Sequence, residues 1–211
     1  MYKEQLQNLI SNLPKYPNIL GKEEYFNSAV LVPLFLINGK YHLLFEKRAA
    51  SIRQGGEICF PGGEIEHIDD DSVETAIRET EEEIGISRKD IVVIGRLDTL
   101  IGPRGITVDP IVAELNIKDL NSCTIDKTEV EKIFSIPLSH FEENDPKTYK
   151  VLSKINYKMF NEKGEEESLI PQNSKEISYS ENIREVLVYK VNDEVIWGIT
   201  ARLIYEIVKK I

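Results

Sequence analysis

Phe60-Pro61-Gly62-Gly63, followed after an acidic loop by Arg78-Glu79-Thr80-Glu81-Glu82-Glu83-Ile84-Gly85-Ile86, gathers glycine hinges and carboxylates into one short stretch. Between Ser72 and Gly85 the apolar positions Val73, Ala76, Ile77, the methyl of Thr80 and Ile84 recur at three- and four-residue spacing, which predicts an amphipathic helix. Asp69, Asp70, Asp71 and Ser72 bring N-cap chemistry and favourable charge to its start, and Gly85 brings a stop. On that helix Glu79, Glu82 and Glu83 stand at i, i+3 and i+4, so the pattern projects three carboxylates together from the side opposite the buried stripe.

Like charges at those spacings destabilise a helix by a few tenths of a kcal/mol per pair, which calls for a compensating cation. Oxygen ligands suit Mg²⁺ or Mn²⁺, hard ions that bridge carboxylates to substrate phosphates. Taken alone, a Glu run reads as a solvated acidic face. The setting changes that reading, because Gly62-Gly63 follows a strand-like Glu57-Ile58-Cys59-Phe60-Pro61 and lets backbone approach a ligand, while Arg78 precedes the first carboxylate.

The segment resembles the Nudix box, the loop-helix-loop signature of enzymes that hydrolyse a nucleoside diphosphate linked to another group. Arg78 to Ile86 follows the box closely, with Thr80 the one soft match. The Gly63-to-Arg78 interval is one residue longer than the generic box, and Asp70 stands nearest to the place of its Glu. With Phe60-Pro61-Gly62-Gly63, this longer interval is similar to the coenzyme A pyrophosphatase branch of the family. Leu43-Leu44-Phe45-Glu46-Lys47-Arg48-Ala49, with Arg53 and Gly56, resembles the segment that precedes the box in that branch. Phe45 and Glu46 replace the Leu-Thr of that segment, and Arg53 to Phe60 is one residue short. Ile196-Trp197-Gly198-Ile199-Thr200-Ala201-Arg202 resembles the start of the branch's last helix.

Outward from the box, Leu6, Ile10 and Leu13 give an N-terminal helix before Pro14, Pro17 and Gly21, so residues 1–27 are expected to be a helix and connector packed on a single domain of residues 28–211. Ser28 to Ile37, Asn38-Gly39 and Tyr41 to Glu46 predict a β-hairpin. Ile91 to Thr99 and Ile106 to Ile117 predict a second strand pair, and turns at Asn161-Glu162-Lys163-Gly164 and Asn192-Asp193 separate later strands. From Trp197, which reads as a core anchor, Ile199, Leu203, Ile204, Ile207, Val208 and Ile211 give a wide helical stripe. Strands, a helix, more strands and a final helix point to an α/β or α+β domain. The resemblance sharpens this to an α/β/α sandwich around a mixed β-sheet, with the box helix on one face and the final helix on the other.

The chain has 211 residues, enough for one sizeable core, and its net charge of −10 argues against an extended nucleic-acid surface. No secretory leader or membrane-length apolar run is read, so the expected setting is soluble and cytoplasmic. Cys59 and Cys123 are too few for a disulfide scaffold and read as reduced thiols. His42, His67 and His140 are dispersed, without zinc-site spacing, and neither a Gly-x-Ser-x-Gly elbow nor a P-loop is present.

The resemblance implies metal-assisted attack of water on a diphosphate, with Mg²⁺ or Mn²⁺ as cofactor. Glu82 and Glu83 are the expected metal ligands, Glu79 either a ligand or the base, and the Gly63 carbonyl a further ligand. Glu129 or Glu131 is the expected Glu from outside the box, and Arg78 orients Glu79 by a charge-assisted bond. Arg48, Arg53 and Arg104 are candidates to clamp phosphate. The implied substrate is coenzyme A or a derivative, cut to 3′,5′-ADP and 4′-phosphopantetheine. Alternatives are a Nudix hydrolase for ADP-ribose, NADH or a nucleoside triphosphate, and a non-catalytic sensing module, which intact Glu79, Glu82 and Glu83 argue against. A small-molecule partner is expected, without nucleic acid or membrane, as monomer or homodimer.

Overall fold

The computed structural model describes residues 3–15, 18–103, 105–156, 160–166 and 179–211. Helix α1 (Lys3–Asn12) forms where it is predicted, but Leu6, Leu9, Ile10 and Leu13 remain 40%, 48%, 55% and 61% exposed. These apolar positions are thus only partly covered among the described residues. Strands β1 (Phe26–Ile37) and β2 (Lys40–Arg48) make the predicted hairpin, with Asn38 and Gly39 both at positive φ in the turn.

Strands β3 (Ile58–Cys59) and β4 (Gly62–Glu64) lead to helix α2 (Ser72–Ile84), then β5 (Ile91–Arg96), β6 (Leu100–Gly102) and β7 (Ile106–Leu115). The predicted second strand pair is present, with its first arm divided into β5 and β6. The chain leaves the ladder between them, where Leu97 N–H bonds the Pro110 carbonyl and the Thr99 hydroxyl bonds Asp109. Strand β8 (Val130–Pro137), helix α3 (Leu138–Glu143), strands β9 (Lys147–Asn156), β10 (Tyr179–Val191) and β11 (Glu194–Trp197), and helix α4 (Gly198–Val208) complete the order.

The main sheet runs β3-β2-β1-β7-β5, with β4 paired to β1, β6 to β7 and β8 to β2. It is mixed, because β1 and β7 are parallel and the other pairs are antiparallel. Strand alternation sorts the core into two layers. Ala29, Leu31 and Phe35 of β1 and Leu44 of β2 meet Ala76, Ile77 and Ile84 of α2. Val30, Val32 and Leu34, with Leu43 and Phe45, lie on the opposite side with Ala201, Leu203, Ile204 and Ile207 of α4. This is the expected α/β/α sandwich. A separate three-stranded sheet, β11-β10-β9, adds Tyr189, Val191 and Ile196 to the α4 layer.

Trp197 is not the expected core anchor. It is 39% exposed at the N-cap of α4, because its neighbour Ile196, fully buried, holds the inward place in β11. Cys59 and Cys123 are free, and no helix among the described residues is long and apolar enough to cross a membrane. Phe45 is fully buried and stacks on Phe60 at 5.0 Å and Phe134 at 5.7 Å, with Phe141 edge-on at 6.0 Å. Phe45→Ala should therefore cost about 3–5 kcal/mol of unfolding free energy in urea titrations; a loss below about 1 kcal/mol would contradict the assignment of this cluster as core.

Candidate active site

Helix α2 begins and ends as its local chemistry predicts. The Asp71 carboxylate accepts the N–H groups of Val73 and Glu74, and Gly85 closes the helix in the left-handed region. Thr80, the soft match to the box, is fully buried, and its hydroxyl donates to the Ala76 carbonyl at 2.6 Å, so its polar atom is paired there.

The three carboxylates do not share one solvated face. The Glu82 side chain is 60% exposed and that of Glu79 15%, whereas Glu83 as a residue is only 4% exposed. Glu83 follows Ala76 by seven positions and Thr80 by three, so it lies on the buried line of the helix rather than opposite it. Its burial is matched by a donor, since Gly62 N–H bonds Glu83 Oε2 at 2.9 Å.

The glycine loop makes that approach possible. β4 lies antiparallel to the start of β1, with Gly62 opposite Val30 and Gly63 opposite Ala29. At Gly62, φ is 154° and a Cβ would run into the Ala29 carbonyl. At Gly63 a Cβ would collide with the Glu79 carboxylate, which lies directly over the loop.

Arg78 reaches Glu79 as expected, at 2.9 Å, and Glu82 at 3.2 Å. Its other edge grips Asp69 through two bonds, Nε to Oδ1 at 2.9 Å and Nη2 to Oδ2 at 3.0 Å. Asp69, rather than Asp70, is thus the loop carboxylate that serves the helix. The Arg78 bonds hold it well below the usual carboxylate range, aided by the Glu66 N–H and the Thr75 hydroxyl.

Sequence reasoning assigned no role to Glu46, although alternation along β2 places Leu44, Glu46 and Arg48 on the face that α2 covers. Glu46 is 1% exposed and sits opposite Cys59, whose thiol donates to Oε1 at 3.0 Å. Arg48 Nη1 lies 3.9 Å from the same oxygen and its Nε bonds the Arg53 carbonyl, so Arg48 turns inward to carboxylates rather than outward as a phosphate clamp. Arg53 is exposed, and its guanidinium meets no polar partner among the described residues. Arg104 lies outside the described residues.

A β-bulge separates the two outer glutamates. Arg48 pairs with Val130 but Lys47 with Lys132, leaving Glu131 as the extra residue, and it turns to Lys47 at 3.9 Å. The Glu129 carbonyl accepts the Ala49 N–H at 2.7 Å, and its charge acts on both Glu46 and Glu79. Of the two, Glu129 is the one whose charge reaches these carboxylates.

Burial raises Glu79, against the pull of Arg78, and raises Glu46. Burial, then the Glu46 carboxylate, push Glu83 up to about 9. Among the described residues no three His, Cys, Asp or Glu side chains form a ready-made metal set, and Arg78 bonds both Glu79 and Glu82. The donors nonetheless fit a hard divalent cation: they are oxygens, and Glu46 Oε2 is buried without a hydrogen-bond partner.

A model of the NUDIX domain matches residues 27–155, and the chain belongs to the Nudix family. Within it, the chain is similar to coenzyme A diphosphatases. It is 35% identical over 125 residues to the mitochondrial coenzyme A diphosphatase NUDT8 of Homo sapiens, covering 58% of this chain and 53% of that protein. It is 35% identical over 114 residues to the peroxisomal coenzyme A diphosphatase NUDT7 of Mus musculus, covering 54% and 48%. The chain thus spans about half the length of these two relatives. Over 200 residues it is 30% identical to an uncharacterized Nudix hydrolase, NudL, of Photorhabdus laumondii, covering 94% of this chain and 91% of that one.

The folded protein holds the Glu83 proton more tightly than the unfolded chain, so between the ordinary value of 4.5 and about 9 the unfolded state binds fewer protons and stability falls as pH rises. In EDTA the melting temperature should be lower at about pH 8.5 than at about pH 6, and the drop should shrink in Glu83→Gln. A wild-type drop equal to that of the variant would remove Glu83 as its source.

Proposed function

We propose that the protein is a divalent-metal-dependent pyrophosphohydrolase that cleaves the diphosphate of coenzyme A or an acyl derivative, giving 3′,5′-ADP and 4′-phosphopantetheine or its acyl form. The observation that carries the reading is the placement of Glu79 and Glu83 against the Gly62-Gly63 backbone, in a chain similar to two coenzyme A diphosphatases. Glu82, Glu83, the Gly63 carbonyl and Glu129 are the residues that would hold Mg²⁺ or Mn²⁺. A cation so held would neutralise charge building on the phosphoryl oxygens and acidify the attacking water.

Glu79 takes the proton of that water. Its side chain is largely buried, which makes it a better base than a solvated carboxylate, and Arg78 fixes its direction through the 2.9 Å bond. The water oxygen attacks one phosphorus, the bridging P–O bond breaks, and the leaving phosphate departs with the electron pair. Asp69 holds Arg78 in turn, so a loop carboxylate supports the base at one remove. Of the candidate arginines among the described residues, Arg53, exposed and unengaged, is the one left to meet substrate phosphate. Because Arg48 is committed to Glu46, a second reading stays specific: a Nudix hydrolase for ADP-ribose or NADH, which lack the 3′-phosphate of coenzyme A.

EDTA should abolish turnover, and Mg²⁺ or Mn²⁺ should restore it. Glu82→Gln and Glu83→Gln should each lower kcat by orders of magnitude without unfolding the protein; full activity in either would remove it from the ligand set.

Arg53→Ala should raise KM for coenzyme A by about tenfold, or roughly 1.4 kcal/mol, with a smaller change in kcat. The deciding measurement is kcat/KM for coenzyme A beside ADP-ribose and NADH. A tenfold advantage for ADP-ribose would transfer the assignment to the second reading.

A further inference from the structure

Strand β5 ends the main sheet: it bonds β7 along one edge, and among the described residues no backbone group bonds the other. The Asp90 carbonyl accepts the Asn116 N–H at 2.8 Å and Val92 stands opposite Glu114, so Asp90 and Val92 turn their main-chain groups to β7. Those of Ile91 and Val93 therefore point away from the sheet. Such an edge pairs with another strand unless something blocks it, and the usual blocks are a charge, a proline or a bulge. From Ile91 to Gly95 the strand carries no charge and no proline, and its bulge comes only after Val93, so the stretch from Ile91 to Val93 is open. Val92, Val93 and Ile94 are exposed along it. What fits this edge is the same edge of another copy. Set antiparallel about a two-fold axis at Val92, Ile91 and Val93 exchange both their N–H···O=C bonds with Val93 and Ile91 of the second copy, and the two Val92 side chains meet. Asp90 then lies diagonal to Arg96 of the second copy, twice over, so the charges flanking the uncharged stretch are complementary. Other axes do less: one at Val93 sets Ile91 against Gly95 beyond the bulge, and one at Ile91 sets Val93 against Lys89 in a 3₁₀ turn.

We propose that the protein pairs with a second copy of itself through the β5 edge, in antiparallel register about Val92, so that two main sheets join into one. The inference goes beyond the catalytic reading and does not rest on it. The Gly62-Gly63 loop pairs with β1, two strands from β5, so each copy keeps its own site. The paired stretch is short, so the association is weak, and dimer gives way to monomer on dilution.

Sedimentation velocity of the full chain from about 5 to about 500 µM should show monomer giving way to dimer as concentration rises. Val92→Lys and Val93→Lys each place a charge on the open edge and should weaken dimerisation about tenfold or more, with turnover per chain and the melting temperature in dilute solution unchanged. Cysteine substitution reads the register. Across the axis the two Val92 form a pair without hydrogen bonds, with Cα atoms about 4.5 Å apart, inside the span of about 4.4–6.8 Å that a disulfide bridges. In a Cys123→Ala background, Val92→Cys should therefore cross-link into a dimer when oxidised with diamide and be released by dithiothreitol, whereas Val93→Cys, which faces Ile91 of the second copy, should not. A chain that stays monomeric at the highest concentration would overturn the proposal, as would a dimer that survives both lysine variants. Cross-linking through Val93→Cys in place of Val92→Cys would overturn it too.

Discussion

The bond from the Gly62 N–H to Glu83 is the contact on which the site depends, because it fixes the distance between the central strand and the box helix. It requires backbone to lie flat between the two, and neither Gly62 nor Gly63 has room for a Cβ: one faces the Ala29 carbonyl and the other the Glu79 carboxylate. From that approach follow the burial of Glu83, the placement of Glu79 over the loop, and the seating of Ala76, Ile77 and Ile84 on β1. A side chain at Gly62 would push β4 off β1, and one at Gly63 would displace the Glu79 carboxylate from over the loop.

Two guanidinium groups divide the carboxylates between them. Arg78 joins the exposed end of the cluster to the acidic loop, taking Asp69 with two bonds and Glu79 and Glu82 with one each. Arg48 lies at the buried end, against Glu46. The first group is close enough to its partners to keep Asp69 ionised through the whole working range of pH, whereas the second is 3.9 Å from a carboxyl that burial already disfavours as an anion. The end gathered by Arg78 has close donors for its carboxylates, whereas the Glu46 end has Arg48 only at 3.9 Å.

The loop between Gly63 and Arg78 also explains why one more residue than the generic spacing is accommodated. Asp69 folds back to take the Glu66 N–H and the Thr75 hydroxyl, so the added length is absorbed in a turn closed on itself while Arg78 still finds its carboxylate. The family match ends at residue 155, within β9, and the sheet β11-β10-β9 with α4 carries the core beyond it. Ile196 and Ile204, both fully buried, join that extension to the layer containing Phe45.

Much was determined by the sequence alone, and all of it is local. Cap chemistry at Asp71 and Gly85 bounded the box helix, Asn38-Gly39 turned the first hairpin, and the order of strands and helices gave a mixed α/β or α+β domain that the Nudix resemblance sharpened to the sandwich. Arg78 to Glu79 was legible as well, since a long guanidinium side chain can reach the carboxylate next to it in sequence. Only the tertiary structure decided that Glu83 is buried, that Asp69 and not Asp70 takes Arg78, and that Arg48 turns inward to Glu46. A bulge in the β2–β8 pair separated Glu129 from Glu131, and strand alternation put Ile196 inside and Trp197 out. The physical reason is common to these cases: periodicity tells which residues share a face, but the side of an element that is covered, and the charge that waits there, are set by sheet register and by contacts between segments far apart in the chain.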